Sequence, residues 1–501
     1  MLLKVKPLKL VASKPIAIIS KEVAKKLFLH PGQRIRIKKG KKEIVAIVDI
    51  AREIVKNDEI AVSQEIVKEL KLKQKSFVDV YAALKPLSIT YIAKKLSGKK
   101  LSFMEIYSII SSIVKNKLTE PEIAYFVSAT YTKGMDLSEI VSLIKAMVKT
   151  GKRIKPKSKL VIDKHSIGGV AGNRTTPIVV PIIAKFCEKF MIDAVIPKTS
   201  SRAISSAAGT ADVIETLARV EFSIEEIEKI LSKTRACLVW GGTLGLAPAD
   251  DKIIEVEKML NLDPEPQLIA SILSKKLAVN ATHVIIDIPY GSSAKVRNLK
   301  EAKALSRKFE TIAKQFKLKL KCIVSDGTQP IGNGIGPKLE ALDVLAVLKQ
   351  ERKRPLDLEK KSLFLASHLI SFVSKMPLQK AFSKAREILR SKEAFEKFKE
   401  IIEAQQGSVS KIKKKLKVGK HKLDVKSEKD GKVVEIDNRK ISYIARLAGC
   451  PVDKGSGIFL YKHLNEKVKK GEKLFSIFAE SKEKLEYARL IAGRIVPVKV
   501  K

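Results

Sequence analysis

Between Leu160 and Gly327 the chain repeats one pattern, and that pattern restricts the fold more than any other feature. A short run of Val, Ile and Leu is followed by a helix-length stretch, then by another short apolar run. LVID (160–163), AVIP (194–197) and ACLVW (236–240) read as buried strands, and HVIIDIP (283–289) and CIVSDG (322–327) as two more. Thr175–Phe190, Ser223–Thr234, Pro264–Val279 and the segment around Leu299–Phe316 read as helices, and a further helical stretch covers roughly 338–405. Uniformly apolar strands that alternate with helices belong to a mainly parallel sheet. The expectation is an α/β domain over 153–405.

The flanks have other periods. In residues 1–84, KVKPLKLV, IAIIS, RIRIKK, EIVAIVDI and FVDVYAA are β-branched runs separated by polar turns, with two short helical stretches around Lys21–Leu27 and Ser63–Leu70. They predict a small β-rich domain that could close into a barrel. From Leu87 the period turns helical, and 85–152 reads as a helical domain. Three helix starts pair a small polar residue with a Glu three positions on: Ser102 with Glu105, Thr119 with Glu122, Asp136 with Glu139. Ser223 with Glu226 repeats the device, which satisfies two orphan N–H groups at once. Residues 406–501 return to strands and turns, with one helical stretch at Ser442–Leu447, and predict a C-terminal α+β domain.

Composition narrows the function classes. The 98 Lys and Arg against 54 Asp and Glu give a net charge of +44, but the excess is scattered in short runs at Lys38–Lys42, Lys99–Lys100 and Lys413–Lys415. Only 5% of residues are aromatic, and no nucleic-acid-binding motif interleaves with the basic runs. The surface reading of this charge is therefore preferred to a nucleic-acid partner. No apolar run reaches the about 18–20 residues of a membrane helix, and Lys interrupts the N-terminal MLLKVKPLKL. A cytoplasmic protein without a membrane partner is expected. Cys187, Cys237, Cys322 and Cys450 are far apart, so neither a disulfide framework nor a zinc site is expected.

Four clusters could carry chemistry. Asp163–Thr176 (DKHSIGGVAGNRTT) follows a strand and opens a helix. Gly168, Gly169 and Gly172 allow close backbone approach, the helix N-terminus favours an anion, and Lys164, Ser166 and Thr175 add donors. It is not a Walker A loop. His165 is read as orienting the loop rather than as a base. Lys198–Glu215 (KTSSRAISSAAGTADVIE) also follows a strand and sets small hydroxyl residues around Arg202. It fits a polar pocket wall and a plain Ser-rich loop equally well. Asp263, Ser271, Lys275 and Lys276 form the third cluster, with Ser271 and Lys275 one helical turn apart, though on these residues alone an ordinary amphipathic helix fits better. Lys295, in DIPYGSSAKV, follows a strand end, the usual ligand side of an α/β sheet, although a lone Lys there is more often simply solvated.

KHSIGGVAGNRTT, TSSRAISSAAGTADVIE and ASILSKKLA, in that order, resemble the thymidine/pyrimidine nucleoside phosphorylase family. The N-terminal domain of 1–84 makes the layout similar to the family's archaeal branch, which acts on AMP. The resemblance covers essentially the whole chain. It implies that 253–280 completes the helical domain, and that the enzyme is a homo-oligomer. It also implies phosphorolysis of AMP, and of CMP and UMP as further candidates, by inorganic phosphate, giving free base and ribose 1,5-bisphosphate. No metal or other cofactor is implied. By the same resemblance, Lys164, Ser166, Thr175, Ser200 and Thr210 would hold inorganic phosphate. Gly168, Ser201, Arg202, Ala203, Ile204, Ser205, Ser206, Thr210, Ser271 and Lys295 would contact AMP. Asp263 would be the general acid that protonates the departing purine, a role that requires burial or a nearby negative charge to keep it protonated.

The sequence departs from the pyrimidine enzymes where they carry an Arg that bonds a pyrimidine carbonyl: here the position is Val256. Adenine has no carbonyl to offer such an Arg. A 5′-phosphate needs a cation, which Lys295 or Arg202 could supply. Gly172, Asn173 and Arg174 also differ from the pyrimidine enzymes' loop. Three alternatives stand beside this reading. They are a thymidine or uridine phosphorylase, a basic nucleic-acid-binding protein, and a phosphoribosyltransferase, whose acidic metal–diphosphate motif is not evident.

Overall fold

Alternating apolar residues close the N-terminal strands on themselves. In the computed structural model, which describes residues 1–12, 14–203, 206–260, 262–408 and 416–501, six strands form a closed barrel. They are β1 (Leu2–Pro7), β2 (Ile16–Ile19), β3 (Arg34–Lys39), β4 (Lys42–Ile50), β5 (Glu59–Val62) and β6 (Phe77–Ala82), in the order β1-β5-β2-β4-β3-β6. Leu3 and Val5, Ile35 and Ile37, Ala46 and Val48, and Val78 and Val80 share one buried core. This is the period-two pattern of a filled small barrel. The helices α1 (Lys21–Leu27) and α2 (Gln64–Leu70) pack into the same core through Val23, Ala24, Ile66 and Leu70.

The chain forms two compact units, and the barrel belongs to the first, Met1–Gly151 with Ala247–Ser271. Four helices follow the barrel: α3 (Ser88–Leu96), α4 (Phe103–Val114), α5 (Glu120–Lys133) and α6 (Leu137–Thr150). The Ser102, Thr119 and Asp136 starts all carry the reciprocal cap; Ser102 N donates to Glu105 at 2.7 Å and Asp136 N to Glu139 at 3.1 Å. Glu139 also accepts from Lys95 at 2.8 Å, and both side chains are buried, which ties α3 to α6. The helix α10 (Pro248–Leu260) packs on α4, α5 and α6.

The second unit comprises Lys152–Leu246 and Ile272–Lys501. Its central sheet contains β7 (Leu160–Ser166), β8 (Ala194–Ser200), β9 (Ala236–Trp240), β10 (His283–Tyr290) and β11 (Lys319–Asp326). The order is β11-β10-β7-β8-β9 and every pairing is parallel. The α/β expectation therefore holds, with all five strands where the apolar runs placed them. Around the sheet run α7 (Thr176–Lys189), α8 (Thr210–Glu215), α9 (Ile224–Thr234), α12 (Leu299–Gln315), α13 (Pro337–Leu348) and α14 (Leu356–Ser374), and α11 (Glu265–Ala278) enters this unit from the first. Ile162, Leu238, Ile285 and Ile323 of the sheet share one apolar core with Ile178, Ile182 and Phe186 of α7 and with Leu345 and Leu369.

The C-terminal segment has a core of its own, but it shares a sheet with the α/β part. Gly334–Ile335 pairs antiparallel with Gly457–Leu460, which pairs with Lys473–Ala479 and so with His421–Lys426. The helical stretch expected at Ser442–Leu447 is a helix over Asn438–Leu447. Lys413–Lys415 lie outside the described residues.

Arg174 joins these layers. Its guanidinium is buried, donates to the Gly334 carbonyl, and lies 3.4 Å from both Glu340 and Asp343 of α13. Burial pushes Glu340 up to about 7 and Asp343 up to about 6, outweighing the pull of Arg174 on each. Carboxyls raised in this way hold more protons folded than unfolded, so their contribution to stability is full at acid pH and is lost as pH rises through about 4–7. In a Glu340→Gln variant the fall in melting temperature between pH 5 and 7.5 should be shallower than in the wild type. Calorimetry that gave two identical slopes would contradict this.

Candidate active site

The strand order reverses between β7 and β10: the chain goes from β7 to β8 and β9 on one side, and to β10 and β11 on the other. In an open parallel sheet the carboxyl ends at such a point diverge and leave a crevice. Lys164, His165 and Ser166 end β7 there, and register sets Ser166 beside Asp287 of β10. The Ser166 hydroxyl donates to Asp287 Oδ2 at 2.7 Å, and Ser325 donates to Oδ1 at 2.5 Å. Lys361 of α14 lies 3.6 Å from Asp287 Oδ2 and donates to the Ala171 carbonyl at 3.0 Å.

The loop beyond β7 makes two short 3-10 turns, Gly169–Ala171 and Asn173–Thr175, before α7 begins at Thr176. Lys164 is buried beneath it, donating to Thr175 Oγ1 at 2.6 Å and to Thr176 Oγ1 at 3.3 Å. Burial pushes Lys164 down to about 8. Thr175 donates to the Gly172 carbonyl at 2.8 Å. A Cβ on Gly172 would collide with Ser166 Oγ and lie 3.1 Å from Asp287 Oδ2. Gly172→Ala should therefore push Ser166 off Asp287 and, if this loop holds phosphate as the family resemblance implies, raise KM for phosphate about tenfold, a loss on the scale of one to two hydrogen bonds. Steady-state kinetics with varied phosphate test this, and an unchanged KM would contradict it.

A second layer of charge lies under the loop. The Asp163 carboxylate is wholly buried, accepts from Lys276 Nζ at 2.7 Å, and has Lys198 Nζ 3.4 Å from its other oxygen. Burial alone would raise Asp163, but Lys198 and Lys276 together outweigh it and hold the group below its ordinary value. Burial pushes Lys276 down to about 7, against the pull of Asp163. His165 is held well below its ordinary value by burial and by Lys276, Lys198, Lys164 and Lys275, so it is neutral at neutral pH. Four lysines (164, 198, 276 and 361) thus face two carboxylates (163 and 287) at this end of the sheet. The surplus suits an anion.

The loop after β8 is closed by Asp212, whose Oδ2 accepts from Ala203 N at 2.7 Å and from Gly209 N at 2.9 Å. Ser200 donates to the Val239 carbonyl at 3.1 Å, and Ser206 to the Ala208 carbonyl at 3.0 Å. Ser201 is exposed and Thr210 opens α8; Ile204 and Ser205 lie outside the described residues. Arg202 makes two 2.6 Å bonds to Glu215 and one of 3.0 Å to Glu221, and stacks on Trp240 at 4.5 Å. Its charge is neutralised locally. Lys295 is exposed, on a turn after β10 that Gly291 N closes by donating to the Val296 carbonyl at 3.0 Å. Gly168 packs against Pro289, which a Cβ there would meet at 3.0 Å.

Asp263, Ser271 and Val256 belong to the first unit. Asp263 is exposed in the connection between α10 and α11, so that unit does not itself supply the burial its expected role requires. Ser271 of α11 donates to Asp250 Oδ2 of α10 at 2.9 Å. Val256 is buried on α10. Asp287, Ser325 and Lys361 were not among the expected site residues, and Asp163, Lys198 and Lys276 lay within the candidate clusters without an assigned role. The one local signal for Asp287 was a lone carboxylate inside the apolar run HVIIDIP.

Three comparisons with known proteins fit this geometry. Residues 89–151 match the helical bundle domain of the glycosyl transferase family, 158–395 its a/b domain, and 432–493 the pyrimidine nucleoside phosphorylase C-terminal domain. The AMP phosphorylase of Thermofilum pendens is 44% identical over 483 residues, 96% of this chain and 92% of its own. Those of Methanocaldococcus jannaschii and Pyrococcus furiosus are each 41% identical, covering 97% and 99% of this chain and 95% and 97% of theirs. Among solved structures, the anthranilate phosphoribosyltransferases of Thermus thermophilus and Saccharomyces cerevisiae align with a TM-score of 0.52 each. They are 17% and 14% identical, and cover 63% and 64% of this chain and 99% and 98% of theirs. That likeness shows a shared fold.

Proposed function

The chain belongs to the thymidine/pyrimidine nucleoside phosphorylase family, and from that premise we propose that it cleaves AMP by phosphorolysis. It is a pentosyltransferase: inorganic phosphate attacks C1′, and the base leaves. The products on this reading are adenine and ribose 1,5-bisphosphate, with CMP and UMP as further substrates. The observation that carries it is the buried Lys164 under a glycine loop at the strand-order reversal, backed by Lys198 and Lys276.

An anionic nucleophile must be stripped of water and aimed, and fixed cations and N–H donors do both. Lys164, Thr175 and the start of α7 receive the phosphate. The hydroxyls of Ser166, Thr175 and Ser200 now donate to Asp287, Gly172 and Val239, so each turns its hydrogen to the anion as it binds. Lys295 takes the 5′-phosphate, and Asp263 protonates the purine. The lysines neutralise the phosphate in this scheme, so no resident metal is assigned. Among the described residues no helix is long and apolar enough to cross a membrane. The reading places the enzyme in the cytoplasm, as a homo-oligomer.

The test is base release from AMP, CMP, UMP, adenosine and thymidine, each with and without phosphate, read by chromatography. Adenine from AMP only when phosphate is present supports the reading. Thymine from thymidine with AMP untouched overturns it.

A further inference from the structure

The C-terminal segment reaches the loops of the site. Val170 of the first loop and Ala207 of the second are buried in its core, with Ile441, Ile458 and Ile477. A third contact is made of hydrogen bonds. Asn438, 4% exposed, opens the helix Asn438–Leu447. Its backbone N–H donates to Ser293 Oγ at 3.0 Å, and its Nδ2 donates to the same oxygen at 3.1 Å and to the Gly327 carbonyl at 2.8 Å. Arg439 Nη2 donates to the Ala294 carbonyl at 3.0 Å. Ser293 and Ala294 are the two residues before Lys295.

The same end of the sheet is tight elsewhere. Gly327 N donates to the Tyr290 carbonyl at 2.9 Å, and a Cβ on Gly291 would lie 2.9 Å from the Gly327 carbonyl. The turn that bears Lys295 is thus held between β11 and the C-terminal helix. A lysine has four rotatable carbons, so its reach to a phosphate depends on where its backbone is held. A displacement of about 1 Å at a binding group can cost a large factor in rate or affinity.

We propose that Asn438, supported by Arg439, is a positioning residue for the nucleotide's 5′-phosphate: it fixes the Ser293–Lys295 turn so that the Lys295 ammonium meets that phosphate. This rests on the reading of Lys295 given above. It also assigns the C-terminal segment a part in substrate recognition, since the residues that set the Lys295 turn come from more than 140 positions away in sequence.

A double-mutant cycle on the full chain tests it. Asn438→Ala, Lys295→Ala and the double variant are compared for AMP binding by calorimetry, and for KM of AMP and of phosphate. Asn438→Ala should weaken AMP about tenfold and leave KM for phosphate within about twofold, and the double should be no worse than Lys295→Ala alone. Additive losses, or an equal rise in both KM values, overturn the proposal. If Asn438→Ala does not fold, Asn438→Asp keeps the size and the backbone N–H but removes the Nδ2 donors, and is read in the same way. The calorimetric arm separates the two claims. Wild type that binds AMP without cleaving it overturns the proposed function and leaves the cycle decisive for Asn438. Wild type that does not bind AMP overturns both.

Discussion

If Asp263 is the general acid proposed above, replacing it with Asn should lower kcat for AMP cleavage by about a thousandfold, within the range of 10² to 10⁴ that a positioned general acid contributes. Adenine leaves poorly as an anion, and proton delivery to the ring as the C1′–N bond lengthens removes that barrier. Asp263 is exposed and Ser271 lies on the helix that follows it. The bound purine would cover the carboxyl and favour its protonated form in the complex. Two further results are expected. The wild-type kcat should fall at high pH as the acid is lost, and the Asn variant should show no such limb. AMP methylated at N7 already carries the positive charge that protonation would supply, so the variant should cleave it nearly as fast as the wild type. A variant equally slow on both substrates would show that Asp263 is not the acid.

On the proposed function, Lys164→Met should reduce kcat/KM for phosphate by about 10² to 10³, the scale seen when one preorganised charge-stabilising group is removed. The side chain is buried, its ammonium is 2.6 Å from Thr175, and Met fills a similar volume without charge. KM for AMP should change little, because the nucleotide contacts are expected on the loop after β8 and on the Lys295 turn. The pH response follows from the burial that pushes Lys164 down to about 8. Below that value the ammonium is present to receive phosphate, and above it the cation is lost. KM for phosphate in the wild type should therefore rise above about pH 8, and Lys164→Met should flatten that rise. A variant with unaltered phosphate kinetics would remove Lys164 from the site.

Local signals were legible in the sequence where the structure is local. The reciprocal caps at Ser102, Asp136 and Ser223 are three residues long and form as their spacing predicts. The strand after which each glycine- or serine-rich loop begins was equally plain, because both faces of the sheet are covered and the runs are uniformly apolar. Other elements were missed. The barrel strand Glu59–Val62 has four residues, and its burial comes from parallel pairing with Leu2–Pro7, which no local pattern announces. Helix α10 carried a readable start, Pro248 followed by Asp250 and Asp251, that the strand–helix count passed over.

The same divide runs through the site. Lys164, Ser166 and Thr175 lie within one loop and could be picked out together. Asp287 meets Ser166 across 121 residues of sequence, and Lys276 meets Asp163 across 113, so the charge beneath the loop exists only once β10 and α11 are in place. Arg202 shows the converse. Sequence offered it as a free cation, whereas folding sets Glu215 and Glu221 against it.

The central claim is that phosphate, not water, attacks C1′. Incubating the protein with AMP and phosphate labelled with ¹⁸O at every oxygen, then weighing the sugar product by mass spectrometry, tests it most directly. The account predicts ribose 1,5-bisphosphate whose new phosphate retains all its labelled oxygens, including the one bonded to C1, in a one-to-one ratio with adenine. Ribose 5-phosphate without label, released together with adenine, would mean that water is the nucleophile and would contradict it.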